Sequence, residues 1–213
     1  MAVEYESDRW RGIFESATAA FAETVEAVDP GRLDEPALGS WSLRDLVGHT
    51  SRSLLTIEMY IARDPEPVTL DGPLAYLAAA AAASDVGPLA SEAIAQRGRD
   101  AGVALGADVA GSIRTIADRV AALVDRTADD APCTTPLGSL TLAAYLPTRA
   151  FELTVHTLDI AAAAGVEVPD ALREPVAACL ELAAAAIGET DAAPDVLLAL
   201  TGRRGLPEHL RVV

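Results

Sequence analysis

The sequence predicts an all-α fold, a four-helix bundle with a short additional C-terminal helical segment, and three observations carry that expectation. Hydrophobic residues make up 51% of the chain but aromatics only 4%; alanine supplies much of the difference, and it is the best helix former and a poor strand former. Apolar residues recur at helical spacing in four long segments. Proline and glycine fall between those segments, where chain-stopping residues belong. At 213 residues the chain is long enough to bury a real core without disulfides or a structural metal. The bundle is expected over 5–165 and the helical extension with its tail over 166–213, packed on the bundle.

In chain order, Trp10, Phe14, Phe21, Val25 and Val28 form one helical stripe, stopped by Pro30 and Gly31. Ser42 and Asp45, three apart, read as the capping box of a second helix running to about Ala62. Asp64-Pro65-Glu66-Pro67 ends it. A short alanine-rich helix over Pro73 to Ala83 is expected to cross between the main helices. Val109, Ile113, Ile116, Val120 and Leu123 mark a third long helix, whose start is blurred by Gly98, Gly102, Gly106 and Gly111. A loop from Ala128 to Gly138 follows, then a fourth helix from about Ser139 to Ala164 with Gly165 as its stop. Pro147 lies inside it and should kink it. A fifth helix over Pro169 to Ile187 and a short one over Pro194 to Leu200 complete the reading.

Charge and targeting signals narrow the partners. A formal net charge of −16 repels phosphate backbones and anionic lipid, so nucleic acid and membrane surfaces are not expected. The longest apolar run, Leu74 to Ala83, is far short of the ~18 residues that a membrane span needs. Met1 to Trp10 lacks a basic and then an apolar region, so no secretory signal is read there. Cys133 and Cys179 form no CxxC pair, and a reduced, cytoplasmic setting is expected. The alanine-rich face would also suit a homodimer.

The fourth helix carries the chemistry. Glu152 and His156 are four apart and share a face, which Arg149 and Asp159 join at spacings of three. On a helical wheel Phe151, Val155 and Leu158 flank this stripe on one side, and Leu146, Leu153 and Ile160 on the other. Small, uncharged Ala150, Thr154 and Thr157 take the far side. Ionisable groups within an apolar arc are carried inward, where they must pair with one another or hold a metal. A buried ion-pair network including Arg149 is the competing account. On the second helix His49 shares an inward stripe with Leu46, Ser53, Ile57 and Tyr60. It would complete a His-Glu-His ligand set, because bundle metal sites are built from facing helices. His209, in the tail, reads as a surface or packing residue. Cys179 reads as core, and Cys133 lies in a loop that could approach a site.

Two segments resemble a known family. Trp41-Ser-Leu-Arg-Asp-Leu-Val-Gly-His49 is similar to the W-S/T-x-R-D-L-x-x-H segment of mycothiol-dependent maleylpyruvate isomerase-type proteins. Arg149-Ala-Phe-Glu152-Leu-Thr-Val-His156-Thr-Leu-Asp159 is similar to their R-x-x-E-x-x-x-H-x-x-D segment. The resemblance spans roughly residues 5 to 165, and these proteins belong to the DinB-like bundles. Leu197-Leu-Ala-Leu-Thr-Gly-Arg-Arg204 also looks like the close of shorter, uncharacterised members. The resemblance implies His49, Glu152 and His156 as metal ligands, zinc as the usual ion and mycothiol as the thiol cosubstrate. The separate C-terminal domain that shapes the isomerases' substrate site has no counterpart in the roughly fifty residues after the fourth helix, so the substrate does not carry over.

Two imidazoles and one carboxylate leave an open coordination position, as in catalytic zinc sites; iron(II), nickel and manganese accept the same donors. The expected activity is activation of a low-molecular-weight thiol for isomerisation or transfer on a small electrophile. A non-catalytic metal-binding bundle and a hydrolase using bound water are the alternatives. Asp159 and Asp45 could orient the imidazoles; the alternatives are an ordinary surface charge for Asp159 and, as the simpler role, the helix cap for Asp45. Arg149 could steer an anionic substrate or thiol, or balance Glu152.

Overall fold

The computed structural model describes residues 7–84, 88–207 and 210. Four long helices form the predicted bundle: α1 (Ser7–Ala27), α2 (Leu43–Ile61), α5 (Val109–Arg126) and α6 (Leu142–Ala164). They pack in a ring, α1 on α6, α6 on α2, α2 on α5 and α5 on α1. Ile13, Phe14, Phe21, Leu46, Leu54, Ile57, Ile113, Val120, Leu146 and Leu153 are buried in one continuous core. Burial of that apolar area is the main favourable term in the fold.

The capping box at the start of α2 is present: Ser42 Oγ accepts from the Asp45 amide at 3.2 Å, and the Asp45 carboxylate accepts from the Ser42 amide at 3.1 Å. It satisfies two end groups that the helix itself leaves open. Gly165 ends α6 in the left-handed conformation, φ 65°, where a side chain would be strained. α6 continues through Pro147.

Three features depart from the sequence reading. The segments before α2 and α6 are short antiparallel hairpins, β1 (Pro36–Leu38) with β2 (Trp41–Ser42), and β3 (Pro132–Thr135) with β4 (Gly138–Thr141). The fourth bundle helix therefore begins at Leu142, capped by Thr141, rather than at Ser139. Between α2 and α5 the chain forms two helices, α3 (Gly72–Ser84) and α4 (Pro88–Ala104). Gly98 and Gly102 belong to α4, and Gly106 (φ 71°) turns the chain before Asp108 caps α5.

α4 packs along the outside of α2, and α3 lies against α6. After a short 3₁₀ turn at Asp170–Leu172, α7 (Arg173–Gly188) packs on α6 and α1. α8 (Ala193–Leu200) follows. No helix among the described residues is long and apolar enough to cross a membrane.

The third departure is the facing of α6. Ala150, Thr154 and Thr157, assigned to the outer side, are fully buried, whereas Val155 (38% exposed) and Leu158 (37%) face outward. Small residues let neighbouring elements pack close, as where the Cys179 thiol of α7 donates to the Ala150 carbonyl at 3.9 Å, and that packing outweighs the larger apolar area of valine and leucine. The ionisable stripe consequently sits half-buried, at the edge of the buried arc instead of its middle.

Candidate metal centre

α2 and α6 bring His49, Glu152 and His156 together. One donor atom from each lies within 4.8 Å of the others. A single ion ~2.0–2.2 Å from each donor would hold them about 3–4 Å apart, so only a small closure separates this arrangement from coordination. All three side chains are half-buried, and the imidazoles of His49 and His156 meet edge to face at 4.9 Å.

Their electrostatics differ by neighbour. Burial lowers the pKa of His49 to about 4, helped by the charge on His156. Its ring makes no hydrogen bond among the described residues, and Nδ1 is fully enclosed. A neutral imidazole has one ring-nitrogen lone pair to offer, and an orphaned buried polar atom is costly unless a partner arrives. His156 is the reverse: burial acts against its charge, but Asp159 and Glu152 outweigh burial and raise its pKa to about 9. Its Nδ1 lies 3.0 Å from Asp159 Oδ2, and its Nε2 lies 3.6 Å from Glu152 Oε2. Burial disfavours the Glu152 carboxylate, yet His156, Arg149 and His49 together lower its pKa to about 2.

At neutral pH the group is thus a neutral His49, an ionised Glu152 and a protonated His156. A divalent cation could replace the His156 proton. With Asp159 accepting from Nδ1, Nε2 would be left to face the ion, the arrangement in which an outer carboxylate fixes a ligand's tautomer. The residues present therefore fit a divalent metal.

The remaining candidates fall into place around this trio. Asp45 is held in the capping box, with no hydrogen bond to His49. Arg149 makes no ion pair among the described residues; its guanidinium stands 4.8 Å over the Tyr145 ring and 5.4 Å from the Tyr76 ring. The ion-pair network with Arg149 is therefore not formed. Cys133 is buried on β3, where burial pushes its thiol up to about 12, and it is not among the grouped donors. Cys179 is buried on α7, its thiol raised to about 11 by burial. His209 lies outside the described residues.

Sequence reasoning missed what surrounds the trio. Trp41 stacks on His49 with centroids 4.5 Å apart and donates from Nε1 to the Ala95 carbonyl of α4 at 3.3 Å. That indole fixes the imidazole on one side and α4 on the other. α4 comes this near because glycine meets glycine. A Cβ at Gly48 would stand 2.7 Å from the Gly98 carbonyl oxygen and closer still to the Gly102 backbone. The four-residue spacing of Gly98 and Gly102, matched to Gly48 beside His49, was the available signal. Beside His49 and Glu152 opens a cavity of about 700 Å³, walled by α2, α3, α4 and α6.

The family described as the mycothiol maleylpyruvate isomerase N-terminal domain matches residues 14–161. No curated protein and no solved structure matches the chain.

Proposed function

The chain belongs to the mycothiol maleylpyruvate isomerase N-terminal domain family, and from that premise we propose that it is a metal-dependent enzyme whose His49, Glu152 and His156 hold one divalent ion, zinc by preference, to activate a low-molecular-weight thiol such as mycothiol for isomerisation or transfer on a small electrophile. One observation carries the reading: three donor atoms from two facing helices converge within 4.8 Å beside a cavity of about 700 Å³. Two imidazoles and a carboxylate leave a coordination position open, as catalysis requires and a closed structural site does not.

When bound, such an ion supplies the Lewis acidity that favours thiolate over thiol near neutral pH. The chain's own residues set the frame for it. Asp159 fixes the His156 tautomer through Nδ1, and Trp41 holds the plane of the His49 ring. Leu77, Ala80 and Ile94 give the cavity wall an apolar part that suits a carbon skeleton.

Metal analysis of purified protein tests the first half. About one zinc per chain is expected, with none retained by His49→Ala or Glu152→Ala proteins that fold normally. Cobalt substitution tests the second half: mycothiol should shift the visible spectrum of the cobalt protein. Metal binding without any thiol response would move the reading to hydrolysis or simple metal binding, and no metal above the variants' level would remove the metal reading.

A further inference from the structure

α8 (Ala193–Leu200) carries its leucines on the outside. Of its side chains Val196 alone is buried, whereas Leu197 is 63% exposed, Leu200 75% and Leu198 37%. With residues ~100° apart around the helix, the outward face is centred on Leu197, with exposed Pro194 and Leu200 three positions to either side. A single exposed leucine is ordinary; three on one eight-residue helix form an apolar patch without a cover.

The two ends of this face carry opposite charge. Glu189 and Asp191 precede α8 and Arg203 follows it; all three are exposed, and none forms an ion pair among the described residues. Arg204, by contrast, is already paired with Asp195. Arg203 is fixed at the helix end by its backbone. Gly202 turns the chain at φ 73°, its amide donates to the Ala199 carbonyl at 2.9 Å, and the Arg203 amide donates to the Leu198 carbonyl at 2.9 Å. The Arg203 guanidinium reaches only the Thr201 carbonyl, at 3.3 Å.

Asp191 and Arg203 each lie six positions from Leu197. Two copies of α8 laid antiparallel about a two-fold axis at Leu197 therefore bring Asp191 of each copy beside Arg203 of the other, and Leu200 beside Pro194. Parallel pairing would set like charge against like charge. Antiparallel helices also place each positive dipole end by a negative one. The face is thus its own complement, in a chain whose net charge of −16 otherwise drives copies apart.

We propose that α8 is a self-association surface, at which two copies of the chain pair antiparallel, leucine on leucine, with an Asp191–Arg203 ion pair at each end. An eight-residue helix is only about 12 Å long, so the contact covers much less than the roughly 800 Å² per partner of a stable interface. The dimer is accordingly weak and depends on concentration. It makes no use of the metal centre, and it gives the expected homodimer a leucine face in place of an alanine one.

Sedimentation velocity over a concentration series tests it. The average mass should rise from that of one chain toward that of two as concentration increases. Leu197→Glu, which brings two carboxylates together at the axis, should weaken dimerisation about tenfold or more. Asp191→Arg and Arg203→Glu each set like charges together at both ends and should each weaken it about fivefold. The double swap Asp191→Arg/Arg203→Glu should restore it. All three positions are exposed, so the variants keep the fold, which circular dichroism checks. His49→Ala should dimerise as the wild type does, so this proposal and the metal reading fail separately. A single-chain mass up to about 1 mM, a dimer indifferent to Leu197→Glu, or a double swap no better than its parts would overturn the proposal. Flotation on phosphatidylcholine–phosphatidylglycerol vesicles that Leu197→Glu abolishes, with no dimer formed, would give α8 to a membrane surface and overturn it too.

Discussion

The two flanks of the α2–α6 pair are closed by opposite means. On one flank α1 packs on α6, and Trp10, Phe14 and Phe21 of α1 and Ala150, Thr154 and Thr157 of α6 are all buried. On the other, α4 meets α2 backbone to backbone, through Gly48, Gly98 and Gly102. The first flank is held by buried area, so its energy is spread over many atoms. The second brings bare backbone together at Gly48 and Gly102, with His49 and Trp41 against Gly98, and a cavity and three ionisable groups lie beside it. A contact made of area degrades gradually; a contact made of absent Cβ atoms fails at once.

Substitution at the two crossings should break the symmetry most. Gly48→Ala puts a methyl group where the α4 backbone already is, and it is expected to cost about 3 kcal/mol or more, with loss of metal binding as α4 and Trp41 shift. Phe21→Leu on the α1 flank should cost roughly 1–2 kcal/mol and leave metal binding intact. Urea denaturation with zinc titration checks both, and a Gly48→Ala protein of wild-type stability would remove the contrast.

Next in size is proton linkage, which belongs to the α4 flank alone. Between pH 4 and 9 neither Asp129 nor Cys179, the shifted groups beside α1 and α6, titrates, whereas His49 (about 4) and His156 (about 9) bracket that range. A lowered His49 pKa gives stability that is present above 6.5 and lost as pH falls toward 4. A raised His156 pKa gives stability that is present below 6.5 and lost as pH rises through 9. Thermal melts of metal-free protein should therefore peak near pH 6.5, and a flat profile would contradict the assignment. Zinc must displace the His156 proton, so its affinity should rise about tenfold per unit from pH 7 to 9. Asp159→Asn should lower it roughly 10–100-fold.

The smallest effect expected is that of Trp41→Phe, which keeps a ring beside His49 but deletes the bond to Ala95. About 1 kcal/mol of stability should be lost, with only a few-fold change in zinc affinity. A larger metal effect than stability effect would mean that the indole governs His49 more than it anchors α4.

The parts legible in the sequence were those set locally. The capping box of Ser42 and Asp45, the Gly165 stop and the apolar stripes of α1, α2 and α5 depend on neighbours within a few residues, and each is present. α4 escaped because glycine counts against a helix in isolation; only its tertiary contact with Gly48 makes Gly98 and Gly102 favourable. The facing of α6 was misjudged for a related reason: hydrophobicity alone ranks Val155 above Thr157, but close packing of neighbouring elements rewards small side chains. The spacing of Glu152 and His156 and the inward stripe of His49 were enough to bring the trio together on paper. Nothing in the linear order placed Arg52, Arg63 and Arg97 around one cavity, because that needs the crossing of α4 over α2.

The glycine crossing also separates two tasks that helices usually share. Since α4 is seated by its backbone, Ala93, Ile94 and Arg97, which line the cavity, are relieved of holding the helix in place. A change at those positions can reshape what the cavity accepts without unseating the helix that carries them or moving His49, Glu152 and His156.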